Sequence, residues 1–85
     1  MKSFTYVIKD ELGIHARLAG MLVKEVKQFT STITLECGGK KAAAKGLMAV
    51  MGMAVKQGNE VTVTAEGEDE EAAIAAMQAF FENNL

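Results

Sequence analysis

At 85 residues and 49% hydrophobic content, the chain is long enough for one domain whose core buries roughly 60–65% of the unfolded surface, and too short for a second. Nine basic residues against eleven acidic ones leave a net charge of −2, which argues against a nucleic-acid face or a polybasic membrane anchor. No apolar run approaches the ~18 residues of a membrane span, and Met1-Lys2-Ser3 leads directly into a strand pattern instead of a signal peptide, so a cytoplasmic protein without membrane insertion is expected.

In chain order, Phe4, Tyr6 and Ile8 alternate with Thr5, Val7 and Lys9, the period of a half-buried strand. Asp10-Glu11-Leu12-Gly13 is a short polar connection in which the glycine relaxes the backbone. Leu18, Leu22, Val26 and Phe29 then recur at helical spacing, which predicts a helix from about Ala16 to Gln28. The only histidine, His15, therefore falls at a helix N-terminus. There the first N–H groups lack intrahelical partners and carry the positive end of the macrodipole. Such a place suits an anion and favours an imidazole in its neutral form, with a lone pair able to attack phosphorus. Arg17 and the exposed amides, with Ala16 taking no space between, would then stabilise the phosphoryl group. A solvent-exposed or capping histidine is the plainer alternative. Gly20 sits inside the helix at a cost of up to about 1 kcal/mol relative to alanine. It either leaves a bare patch for a partner's surface or permits tight packing on the sheet.

Thr32 to Cys37 alternates again as the second strand, Gly38-Gly39 is a hairpin turn, and Lys40 to Ala44 returns as a weak third strand. Cys37 is the only cysteine, which excludes an internal disulfide and a cysteine-based metal site; it is expected as a small buried hydrophobe. Leu47 to Val55 is too continuously apolar for one buried face of a short helix, so part of it is expected at the surface. Val50 and Met53 are assigned to the core. Leu47, Met48 and Met51 are either gap-filling core residues or an adaptable docking surface. Val61, Val63 and Ala65 alternate with Thr62, Thr64 and Glu66 as the fourth strand. Asp69 is the expected N-cap of a last helix, with Ala73, Ile74, Met77, Phe80 and Phe81 as its apolar stripe. Capping explains the acidic residues around Asp69 without a metal, and Asn83-Asn84-Leu85 is expected to fray. The order β-α-β-β-α-β-α implies an α/β (α+β) fold in which one four-stranded antiparallel sheet carries three helices on one face.

The segment Gly13-Ile14-His15-Ala16-Arg17, followed by Ala19, resembles the active-site motif of HPr, the histidine-containing phosphocarrier of the bacterial phosphoenolpyruvate-dependent sugar phosphotransferase system. The likeness extends nearly end to end and implies an open-faced sandwich, in agreement with the pattern. It further implies that enzyme I donates a phosphoryl group to Nδ1 of His15, which hands it to the A domain of a sugar-specific permease, with Arg17 and the helix N-terminus holding the phosphate. Leu47, Met48 and Met51 become docking residues beside the histidine. Lys24 and Lys27, on the exposed side of the first helix, steer acidic partners or are ordinary solvated charges.

The resemblance implies neither cofactor nor metal, and a monomer that works through transient complexes. Two positions depart from the family pattern. Leu18 stands where most members have proline, and as a good helix former it is expected to leave the helix start intact. Gly46 stands where many have a regulatory serine, so there is no hydroxyl to phosphorylate at that position. Two alternatives accompany the sugar-transport reading: a carrier for a regulatory, nitrogen-related phosphotransferase branch, and a non-catalytic module that keeps the fold and docks through Leu47, Met48 and Met51.

Overall fold

The computed structural model describes residues 1–85. Seven elements follow the expected order: β1 (Lys2–Val7), α1 (Ala16–Val26), β2 (Thr32–Cys37), β3 (Lys40–Ala43), α2 (Leu47–Gly52), β4 (Glu60–Glu66) and α3 (Glu70–Asn84). The strands form one four-stranded sheet in the order β1-β4-β2-β3, antiparallel throughout. The register follows from the alternation, because a slip of one residue would turn every apolar side chain to water. Phe4 pairs with Val63, Val63 with Leu35 and Leu35 with Ala42, making one cross-strand row on the covered face. Thr5, Thr62, Glu36 and Lys41 make the neighbouring row on the open face, where the Thr5 and Thr62 hydroxyls meet at 3.4 Å.

The helices cover the apolar face. Phe81 of α3 is fully buried, and its ring meets Phe4 and Tyr6 edge-on at centroid distances of 5.7 Å, the arrangement that aromatic quadrupoles favour. Met77 and Ala73, one and two turns earlier, complete the buried stripe, while Ile74 and Phe80 are partly buried at its margin. α1 packs against both α2 and α3 and buries Leu18, Ala19, Leu22, Val23 and Val26.

Several boundaries differ from expectation for local reasons. α1 stops at Val26, not Gln28, because the Gln28 and Phe29 amides turn to Glu25 and Val26 and tighten the last turn. The helical part of the methionine-rich stretch is only Leu47–Gly52, since Ala54 takes a left-handed conformation with φ of 52°. Cys37, at the end of β2, is half-buried at the edge of the core and not enclosed in it. Asp69 does occupy the N-cap position of α3, but its side chain caps nothing there. It reaches across to accept hydrogen bonds from the Thr30 and Ser31 amides, each at 2.9 Å, and from the Ser31 hydroxyl. Three donors outweigh one hydrated helix amide. Nor does the C-terminal end fray. Leu85 is buried and its oxygen accepts the amides of Lys9 at 2.6 Å and Asp10 at 3.0 Å, so the end of α3 is tied to the loop after β1.

That loop is also held from below. Gly13 has φ of 63°, and a Cβ added to it would lie 2.2 Å from the Val55 oxygen and 2.7 Å from Lys56 Cα. The next amide, of Ile14, donates to the same Val55 oxygen at 3.1 Å. Only glycine fits such an approach.

Gly13→Ala should therefore combine left-handed strain with a backbone clash and lower unfolding stability by about 2–4 kcal/mol, read from the urea midpoint at unchanged m-value. A second expectation concerns pH. Asp69's carboxyl is held below its ordinary range, first by the Ser31 hydroxyl and next by the Thr30 amide. A depressed carboxyl stabilises the fold above the unfolded-state pKa, and that contribution disappears as pH falls through the folded-state value. Asp69→Asn should flatten the loss of thermal stability between about pH 5 and pH 2, and the wild type should retain the steeper decline.

Candidate functional site

His15 is the N-cap of α1, with φ of −85° and ψ of 174°, and its side chain makes no capping hydrogen bond. Its carbonyl begins the helix by accepting the Ala19 amide at 2.9 Å. The amides of Ala16, Arg17 and Leu18 thus open the helix beside the ring, where helical geometry supplies no acceptor. No acidic residue lies in that first turn to compete for them. Arg17 is exposed and joins neither of the two ion pairs in the structure, which link Met1 to Glu70 and Lys2 to Glu71. Leu18, in place of the proline of the family pattern, is buried, and the helix begins at Ala16 regardless.

The half-buried His15 ring borders a shallow cavity of about 260 Å³, shared with Asp10, Arg17, Leu18, Met21, Asn83 and Asn84. A second hollow of about 430 Å³ adjoins it through Met21 and Asn84 and runs along α1 and α3 past Lys24. Another of about 430 Å³ lies on the open sheet face among Thr32, Thr34, Glu36 and Lys41. That one contains neither the histidine nor a helix terminus. Sequence reasoning missed Asp10, Met21, Asn83 and Asn84 as neighbours of the ring. Residues 83–84 arrive there only because α3 packs along β1, and the apolar Leu85 after two asparagines was the single hint that this end is anchored.

The remaining candidates lie at the surface. A Cβ at Gly20 would meet nothing within 4 Å, which excludes the tight-packing explanation and leaves the bare patch. Lys24, in the last turn of the same helix, and Lys27, its C-cap, are both exposed. On α2, Leu47 and Met51 are each 42% exposed and Met48 81%, whereas Val50 and Met53 are buried. Gly46 is the N-cap of α2, with a half-open backbone position where a Cβ would make ordinary 3.5 Å contacts to Ala43 and Ala49.

A family model for the PTS HPr component phosphorylation site matches residues 2–83. The chain belongs to the HPr family. The phosphocarrier protein HPr of Mycoplasma capricolum is 42% identical over 78 residues, covering 92% of this chain and 88% of its own. The solved histidine-containing phosphocarrier protein of a mycoplasma superposes with a TM-score of 0.94 at 39% identity, covering 96% of this chain and 93% of that one. Crh of Bacillus subtilis, solved as a domain-swapped dimer, gives 0.78 at 39% identity over 94% and 92% of the two chains. The four-stranded antiparallel sheet with three helices is the HPr architecture. No helix here is long and apolar enough to cross a membrane.

Gly20→Ala should raise thermal stability by up to about 1 kcal/mol, since it adds helix propensity without a clash, and calorimetry of the two proteins measures it.

Proposed function

We propose that this HPr-family protein accepts a phosphoryl group from phospho-enzyme I on His15 and passes it to the A domain of sugar-specific permeases. The observation that carries the reading is a histidine ring uncommitted to any cap, at the open N-terminus of α1 and in one cavity with an unpaired arginine. The ring lone pair attacks phosphorus as the bond to enzyme I breaks, and that bond's electron pair stays with the donor. Nδ1 is the attacking atom implied by the family. The first-turn amides, from Ala16 onward, and the Arg17 guanidinium offset the charge carried by the transferred group. Ala16 leaves room for it.

Docking falls to the surface around the ring. Leu47, Met48 and Met51 offer flexible apolar side chains, Gly20 offers a flat approach, and Lys24 and Lys27 attract acidic partners. The complexes are transient, formed by a monomer in the cytoplasm. Leaving groups matter as much as docking: an imidazole releases phosphorus readily, so the group moves on without a large free-energy drop.

Incubation with phosphoenolpyruvate and enzyme I should add one acid-labile phosphoryl group to the wild type and none to His15→Ala. Arg17→Ala should slow acceptance by about 100-fold without loss of fold. A wild type that accepts no phosphate, while still binding enzyme I, would leave only a docking module. Transfer tested against sugar-permease and nitrogen-regulatory A domains assigns the pathway.

A further inference from the structure

Asp10 is the one acidic residue lining the cavity beside His15, and the reading above gives it no role. Asp10 is held at three points. Its amide donates to the Leu85 oxygen at 3.0 Å, its carbonyl accepts the Gly13 amide at 3.0 Å, and its Oδ1 accepts the Leu12 amide at 2.8 Å. A side chain bonded into its own turn does not swing away when an anion arrives. The other polar groups in the cavity besides His15 are the cationic Arg17 and the neutral Asn83 and Asn84. A phosphoryl group on His15 would therefore be drawn in by Arg17 and the helix amides and repelled by Asp10 across a space of about 260 Å³.

We propose that Asp10 raises the transfer potential of phosphorylated His15, favouring departure of the group over its retention. This rests on His15 being the phosphoacceptor. In the step concerned, the acceptor's lone pair forms the new bond to phosphorus while the phosphorus–nitrogen bond to His15 breaks, its electron pair returning to the ring. Asp10 makes and breaks no bond. Its field destabilises the phosphorylated state, and the repulsion ends when the group leaves. Arg17 alone would make a tight phosphate site, and a carrier must not hold its cargo too well.

A mere turn residue and a charged one are separable by substitution. Asparagine at this position accepts the Leu12 amide through Oδ1 as aspartate does, but carries no charge. The test mixes phospho-enzyme I with an equimolar amount of wild type, Asp10→Asn, Asp10→Ser or Glu11→Gln and reads the partition of phosphate by mass spectrometry. Glu11 is exposed and outside the cavity, so its variant controls for net charge. Expected is a partition shifted roughly three- to ten-fold towards the phosphorylated form in Asp10→Asn, the same direction in Asp10→Ser, and wild-type partition in Glu11→Gln. The difference should shrink at about 1 M salt. Equal partition for wild type and Asp10→Asn, or an equal shift in Glu11→Gln, overturns the proposal, and wild-type acceptance in the same experiment keeps the carrier reading intact. Should Asp10→Asn fail to fold, Asp10→Ser makes the same comparison. A wild type that takes no phosphate removes both.

Discussion

The close approach of Gly13 to the Val55 carbonyl organises the working end of this molecule. A residue without a Cβ lets one backbone lie against another, and the Ile14 amide then donates to the same oxygen. That contact sets where the chain leaves the loop after β1, and so where α1 begins and where the His15 ring emerges. The other wall is made by Leu85, whose oxygen takes the Lys9 and Asp10 amides. A segment that would otherwise be an exposed polar loop is thus clamped between the α2–β4 connection and the end of α3. The imidazole rides on a rigid support although it lies in none of the strands or helices.

The clamp carries strain. Ala54, directly before Val55, has φ of 52°, a conformation that costs an L-residue with a side chain roughly 1–2 kcal/mol. Packing of Val50, Met53 and Val55 into the common core over-determines that turn. Distortion next to a site is tolerated where the surroundings leave the backbone no alternative. At the opposite end of α1, Asp69 and Ser31 make a comparable tie between the start of α3 and the connection that leads from α1 into β2. Both ends of the first helix are therefore anchored to α3 or its flanks.

Between these anchors, the outward surface of α1 and α2 is left unusually bare. Exposed Met48, Met51 and Leu47 would be wasteful as core material, and Gly20 weakens a helix that an alanine would strengthen. The thioether side chains are flexible and polarisable, and the glycine adds no side chain to the surface they share. Charge at the site is balanced in the same spirit, with one guanidinium and one carboxylate around a ring at the positive end of a helix.

Much of this was legible in the amino-acid order. The alternation of Phe4, Tyr6 and Ile8, of Ile33 and Leu35, and of Val61, Val63 and Ala65 specifies strands and their buried faces, because side chains in a strand point to opposite sides with a period of two. The position of His15 at a helix start followed from where the period changes from two to that of a helix. Only tertiary structure decided what stands opposite the ring. Asp10 read as loop, Asn83 and Asn84 as a loose end, and Asp69 as a local cap, since each has a plausible partner nearby in sequence. Local pattern reports which residues share a face of one element. The groups that meet across elements are chosen by how α3 lies on β1 and by which distant donors offer more hydrogen bonds than the nearest amide, and neither quantity exists until the chain is packed.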